Sequence, residues 1–376
     1  MKKLFVLPLI LVLIVALASM SCAKPEPEPS PAPEPAPSQA PTSSQAPSPS
    51  QAPSPSPEPS TSPEPDEPIV LKFTSWTPPA PVAVGEANLK WKAMVEERSE
   101  GRIKIELYEG GALASRGETL RAVQSGIADI GYHSITELPI NLITRLPMNG
   151  ITNKYAAAKI HGELMEKFPV MKDELGVRVL SMSGMPPEQL MFTKKEVRVP
   201  DDLKGMKIIA GGEMAKVVDA AGGAPMDLNA GDWYMSLERG LVEGHNINFL
   251  ASFAFKTIEL FEYHTLFEGG TGLVIIGYIM NHDSWNSLPP DLQEILAEAT
   301  QWVAEEVMRL DENDQQAGID MAKEMGHTFV ELTPEEQQLW VDIAKPVHES
   351  WIAENADKAP TQEMYDELQR LKEVYK

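Results

Sequence analysis

Ile69-Val70-Leu71-Lys72-Phe73-Thr74 gathers β-branched and aromatic residues into one short run and predicts a buried strand. Pro78, Pro79 and Pro81 end it. Leu89, Trp91, Ala93, Met94 and Val95 then predict a helix over Glu86 to Arg98, broken at Glu100-Gly101. Ile103 to Tyr108 alternates apolar and polar residues, as a half-buried strand does. Gly110-Gly111 turns the chain into a helix over Glu118 to Gln124, and Ile127 to Tyr132 predicts the next strand. Strand and helix alternating at this spacing predict an α/β layout with a largely parallel sheet. Trp76 and His133 follow two of the strands, at carboxyl ends where such sheets bind ligands.

A second unit in the same style follows. Val177 to Met182, Gln189 to Thr193, Met206 to Ile209 and the strongly apolar Leu273 to Met280 predict strands. Gly211 to Ala221 and Asp232 to Arg239 predict helices. Leu292, Ile295, Leu296, Ala299, Trp302, Val303, Val307 and Leu310 keep helical spacing as one apolar stripe on an acidic helix. Thr333-Pro334-Glu335-Glu336 carries a capping box with proline in the first turn. Met and Trp along these stripes read as core rather than cofactor ligands.

The first 68 residues have no such pattern. Lys2 and Lys3 precede an apolar stretch from Leu4 to Leu17, too short for a comfortable membrane span but suited to a signal peptide over residues 1–21. Ala18, Ser19 and Ser21 lead to Cys22, the single cysteine of the chain. The arrangement resembles a bacterial lipobox, with Ser19 where that pattern has leucine, and implies lipid attachment at Cys22. An ordinary signal peptide with an incidental cysteine is the alternative. Ala23 to Pro68 contains no aromatic or branched aliphatic residue and repeats Gln-Ala-Pro-Ser-Pro-Ser at 45 and 51. It cannot bury enough apolar surface to offset its ordering entropy, which predicts an extended tether over 22–68.

The remaining stretch, 69–376, is long enough for two lobes: one over about 69–190, a second over about 191–290, with C-terminal helices from about 291 packing on both. Net charge is −23, which argues against nucleic acid or anionic lipid as a partner. A lone cysteine excludes an internal disulfide and a Cys-based metal cluster. The chain has no Gly-x-Ser-x-Gly, His-Glu-x-x-His, P-loop or Gly-x-Gly-x-x-Gly motif. Its seven histidines are scattered without metal-like spacing. The expectation is a protein that is not an enzyme and has no cofactor.

Four segments in order carry a resemblance to a known family. They are Gly110-Gly111-Ala112-Leu113 through Ala122 to Gly131, Val199 to Ile208, Ser236 to Gly244, and Ser284 to Pro290. Each is similar to the corresponding part of solute receptors of tripartite ATP-independent periplasmic (TRAP) transporters. The resemblance implies a two-lobed periplasmic-binding-protein-like α/β fold, with crossing strands and a long helix linking the lobes. It implies an extracytoplasmic receptor, which the lipobox-like stretch before Cys22 would hold to the outer face of the cytoplasmic membrane. Such a receptor captures a small organic solute, commonly an organic acid, for TRAP membrane permease subunits. After Lys207-Ile208 the family has an arginine that grips the ligand carboxylate; this chain has Ile209. Ligand-binding candidates are therefore Trp76, His133, Ile209, Trp233, Tyr234, Asn246, Asn248 and Phe249. An organic acid would find its cation at His133, His245 or Arg116; a neutral or aromatic solute would use stacking and amide hydrogen bonds instead. A receptor feeding a membrane sensor and a lipid-anchored hydrolase are the other function classes.

Overall fold

The computed structural model describes residues 67–375; the signal peptide expected over 1–21, Cys22 and the tether up to residue 66 lie outside them. The first lobe opens with β1 (Ile69–Ser75), α1 (Ala83–Arg98), β2 (Ile103–Tyr108), α2 (Thr119–Gln124) and β3 (Ile130–Ser134). It continues through α3 (Lys154–Lys167), α4 (Val170–Leu175) and β4 (Arg178–Gly184). The second lobe holds β5 (Gln189–Phe192), β6 (Lys207–Ile209), α5 (Gly212–Ala220), β7 (Ala224–Met226), α6 (Trp233–Glu238), β8 (Gly244–Ile247), α7 (Phe249–Ala254) and β9 (Tyr263–Leu266). The chain returns to the first lobe as β10 (Ile275–Met280) and α8 (His282–Asn286), followed by α9 (Pro290–Glu324). It ends with β11 (Thr328–Glu331), α10 (Pro334–Glu354) and α11 (Thr361–Val374).

Two sheets result, ordered β2-β1-β3-β10-β4 and β11-β9-β5-β8-β6-β7. The expectation of a largely parallel sheet is corrected: β10 runs antiparallel to β3 and β4, and β5 runs antiparallel to β8 and β9. The reason is connectivity. β5 and β10 are the strands by which the chain enters the second lobe and returns to the first, so each arrives against the local strand direction. β10 is buried along its whole length, as its unbroken apolar run requires.

The first core forms where α1 covers the sheet. Val84, Ala87, Trp91 and Val95 lie on one helical face, and Trp91 packs against Phe73 at 5.3 Å and Tyr278 at 5.8 Å between ring centroids. β3 starts three residues later than the pattern predicts. Ile127 is 55% exposed, and Asp129 is held in the turn, where its carboxylate accepts from the Lys72 amide at 2.8 Å.

α9 is 35 residues long, about 50 Å at helical rise. Its first half buries the anticipated stripe against α1, and it then continues past Leu310 through a more polar stretch to reach α7 of the second lobe. Gly318 permits that approach, since a Cβ there would stand 2.7 Å from the Phe249 carbonyl oxygen. At the start of α10 the Thr333 hydroxyl accepts from the Glu336 amide and Glu336 accepts from the Thr333 amide, as the capping box predicts.

Asp311 interrupts the apolar face of α9. It is fully buried with no hydrogen-bond partner on either carboxylate oxygen, and burial, opposed by nearby Lys154, pushes its pKa up to about 8. A pKa raised on folding gives stability that is complete below the unfolded value near 3.8 and is lost as pH rises through about 8. Asp311→Asn is expected to match the parent near pH 4 and to exceed it increasingly up to pH ~9 in denaturant-unfolding curves. An advantage independent of pH would contradict this assignment.

Candidate functional site

Several strands end at one cavity. β1 delivers Trp76 just past its carboxyl end, β3 delivers Ser134, β6 delivers Ile209, and β8 supplies His245 to Ile247. The cavity has a volume of about 360 Å³ and lies between the two sheets, the position at which ligands meet α/β sheets.

The connections between the lobes form its floor. Segments 185–188 and 270–274 run side by side, with the Met185 amide donating to the Val274 carbonyl at 2.8 Å and the Glu188 amide to the Gly272 carbonyl at 2.9 Å. Gly270 sits at φ +76°, and a Cβ on it would stand 2.5 Å from that of Pro187, so only glycine lets the two segments close up.

Arg145 reaches this floor from the first lobe. Its Nη2 and Nε donate to the two Glu188 carboxylate oxygens at 2.8 and 3.2 Å, with side chains 13% and 10% exposed. Burial alone would lower the Arg145 pKa, but Glu188, Glu137 and Asp227 outweigh it and hold the guanidinium above its ordinary value. Asn246 donates to Glu188 from the second lobe at 3.1 Å and accepts from the Thr271 hydroxyl at 2.5 Å. One connected network thus spans both lobes and the crossing between them.

A second cation, Arg116, lines the same cavity. Arg116 pairs with Glu137 and lies over the Trp76 ring, 5.4 Å from its centroid. Trp76 in turn stacks on Phe255 at 6.2 Å, and Phe255 meets the edge of Trp233 at 5.1 Å. Trp233 packs edge-on against His245 at 4.7 Å. Burial, aided by Arg116, lowers the His245 pKa to about 3, so it faces the cavity neutral at pH 7.

Of the expected ligand residues, Trp76, Ile209, Trp233, Asn246 and Asn248 line the cavity. The Asn246 amide is occupied by Glu188 and Thr271. Asn248 caps α7 by accepting from Ala251 and donates to the Pro186 carbonyl. Three others sit elsewhere. Ser134 rather than His133 reaches the wall, because neighbouring strand residues point to opposite faces. The Tyr234 hydroxyl donates to Glu259 at 2.7 Å. Phe249 stacks on Phe329 at 5.8 Å among the buried residues of the second lobe. Sequence reasoning missed Arg145, Glu137, Glu188 and Asp227; an arginine inside the apolar run Leu142-Ile143-Thr144-Arg145-Leu146 was the available signal. Among the described residues no three His, Cys, Asp or Glu side chains are grouped to hold a metal ion.

Residues 74–355 match the family model DctP, bacterial extracellular solute-binding protein, family 7. The chain belongs to this family. Among its relatives, the C4-dicarboxylate-binding periplasmic protein DctP of Rhodobacter capsulatus is 25% identical over 75% of this chain and 86% of its own. A TRAP solute-binding protein from Rhodoferax ferrireducens, solved with copurified benzoate, superposes with a TM-score of 0.75 at 22% identity over 82% of this chain and 98% of its own. One from Bordetella bronchiseptica with bound (R)- and (S)-mandelate gives 0.73 at 22% identity, covering 82% and 100%. The fold is that of TRAP solute-binding proteins, as the residue motifs implied, and family members are extracytoplasmic receptors. Ile209 does end β6 on the cavity wall, in register with His245. An apolar side chain therefore stands at the position the resemblance gives to arginine, and the cavity's cations come from the first lobe.

Removing one partner of a buried ion pair strands the other. Glu188→Ala is expected to lower the unfolding free energy by about 3–5 kcal/mol, and Arg145→Met combined with Glu188→Met to recover most of it. Urea unfolding measures both; a loss below about 1 kcal/mol for Glu188→Ala would class the pair with ordinary surface bridges.

Proposed function

We propose that the chain is the solute receptor of a TRAP-type secondary transporter, capturing a small organic acid between its lobes and presenting it to the membrane permease. The observation that carries this reading is the pair of arginines, Arg116 and Arg145, on the wall of an inter-lobe cavity that also bears Trp76 and Trp233. Guanidinium groups suit a carboxylate, and indole rings suit the organic body of a solute. The relatives support it: one is named for C4-dicarboxylates, and two solved members hold the aromatic acids benzoate and mandelate.

The action is binding without chemistry. A solute that touches both lobes stabilises their closed arrangement by its differential affinity for it. The paired segments 185–188 and 270–274 are the hinge, since they are continuous with both sheets and carry few residues. Attachment through a lipid on Cys22 completes the proposal, with the tether holding the receptor off the membrane; among the described residues no helix is long and apolar enough to cross one.

A second reading, a neutral or aromatic solute sensed rather than transported, draws on the pairing of both arginines with glutamates. Thermal unfolding of the full chain separates them. A carboxylate at 100 times its dissociation constant stabilises by about 2.7 kcal/mol, a readily visible melting shift. Benzoate, mandelate and succinate are the first candidates, and Arg116→Ala is expected to remove at least half of whichever shift is seen. Stabilisation by neutral solutes alone, or full retention of the shift in Arg116→Ala, would overturn the organic-acid reading.

A further inference from the structure

A second, smaller cavity lies behind the first. It has a volume of about 40 Å³ and shares Trp76, Met185 and Ala251 with the inter-lobe cavity as walls. Most of its lining is apolar. Set into that lining are two carboxylates of α9, Asp311 and Asp314, and the phenol of Tyr132 from β3.

Buried oxygens gather on this side of the sheet with nothing to bond. Neither Asp311 oxygen has a hydrogen-bond partner among the described residues, nor does the Tyr132 hydroxyl, and the two residues are 0% and 1% exposed. Register adds two more. Tyr132 and Ser181 stand opposite Tyr278, Ser183 stands opposite Ile276, and cross-strand partners point to one side. That side is the one α9 covers. The Ser181 and Ser183 hydroxyls are likewise buried and unpartnered. Buried polar groups are almost always satisfied, so a row of such oxygens beneath one helix marks a site for a guest.

Charge decides which guest. Lys154 is the cation that acts on Asp311, but its ammonium donates to the Met308 carbonyl and stands 3.6 Å from Glu312. Asp314 has committed one oxygen to the Ala83 amide at 2.8 Å. Asp311, Glu312 and Asp314 thus set three carboxylates against one ammonium. A water molecule would bond to these groups without neutralising them. A cation does both, since carboxylate and hydroxyl oxygens all offer lone pairs. The set is all oxygen, as hard cations prefer, with no nitrogen or sulfur to favour a transition metal. One fully buried carboxylate suits a single positive charge, and the space admits an ion with about two waters.

We propose that this cavity binds one alkali cation, sodium or potassium, held by the Asp311 carboxylate, the Tyr132 and Ser183 hydroxyls and the free oxygen of Asp314. The ion pins α9 to the first-lobe sheet beside the hinge. Its site is separate from that of the solute.

Melting of the full chain in sodium, potassium and choline chloride at one ionic strength tests it, because choline is too large to enter. An alkali salt is expected to raise the melting temperature above that in choline, saturably, and the salt with the larger shift names the ion. Asp311→Asn is expected to abolish the difference. Tyr132→Phe, which keeps the ring and removes one oxygen, is expected to weaken the apparent affinity tenfold or more, and it carries the test if Asp311→Asn fails to fold. The advantage of Asp311→Asn at high pH is then a property of choline solutions and shrinks as alkali salt is added. Equal melting in all three salts would overturn the proposal, leaving Asp311 to a proton or to water. A cation effect that survives both substitutions would put the ion elsewhere and overturn it as well.

Discussion

Two extended segments that hydrogen-bond to each other carry the chain between its lobes, and Arg145 grips one of them through Glu188. The ion pair is nearly buried, so neither charge can stand without the other. Asn246, fixed by Thr271, holds Glu188 from the far lobe. The geometry of the cavity follows from this arrangement. It sets the distance between the sheets at the crossing and fixes where the carboxyl ends of β1, β3, β6 and β8 converge. Gly270 is the steric condition for it, since any side chain there would force the two segments apart.

α9 is the second tie. It buries its apolar stripe against α1 in the first lobe and reaches α7 in the second, so each lobe rests on the same rigid rod. A short paired hinge and one long helix leave the lobes few ways to move, which suits opening and closing over a cavity better than independent tumbling. The aromatic chain from Trp76 through Phe255 to Trp233 crosses the same gap. Binding is thereby coupled to lobe arrangement: a solute lodged against both tryptophans touches groups from both sides.

Much of this fold is legible in the sequence because its longer elements are strongly periodic. The α1 face, the stripe of α9, the apolar run of β10 and the capping box of α10 are each long enough for period to decide between helix and strand. The short strands β7, β9 and β11, of three or four residues, are too brief to show alternation. β3 was displaced because an apolar residue, Ile127, lies exposed in the turn before it. The strand directions escaped for a different reason: antiparallel entry of β5 and β10 depends on which lobe the chain is leaving, a global property. The cavity was half legible. Trp76, Trp233 and Ile209 sit at strand or helix ends, where position alone suggests a cleft. Glu188, by contrast, joins Arg145 across 43 residues of sequence, and no local pattern marks such a partnership.

A crystal structure of the chain with the solute that most raises its melting temperature would test this account most directly. The account predicts solute between Trp76 and Trp233, with carboxylate oxygens within about 3.2 Å of guanidinium nitrogens of Arg116 or Arg145, and the Arg145–Glu188 pair intact beneath it. A solute bound outside this cavity, or one whose carboxylate avoids both arginines, would contradict it.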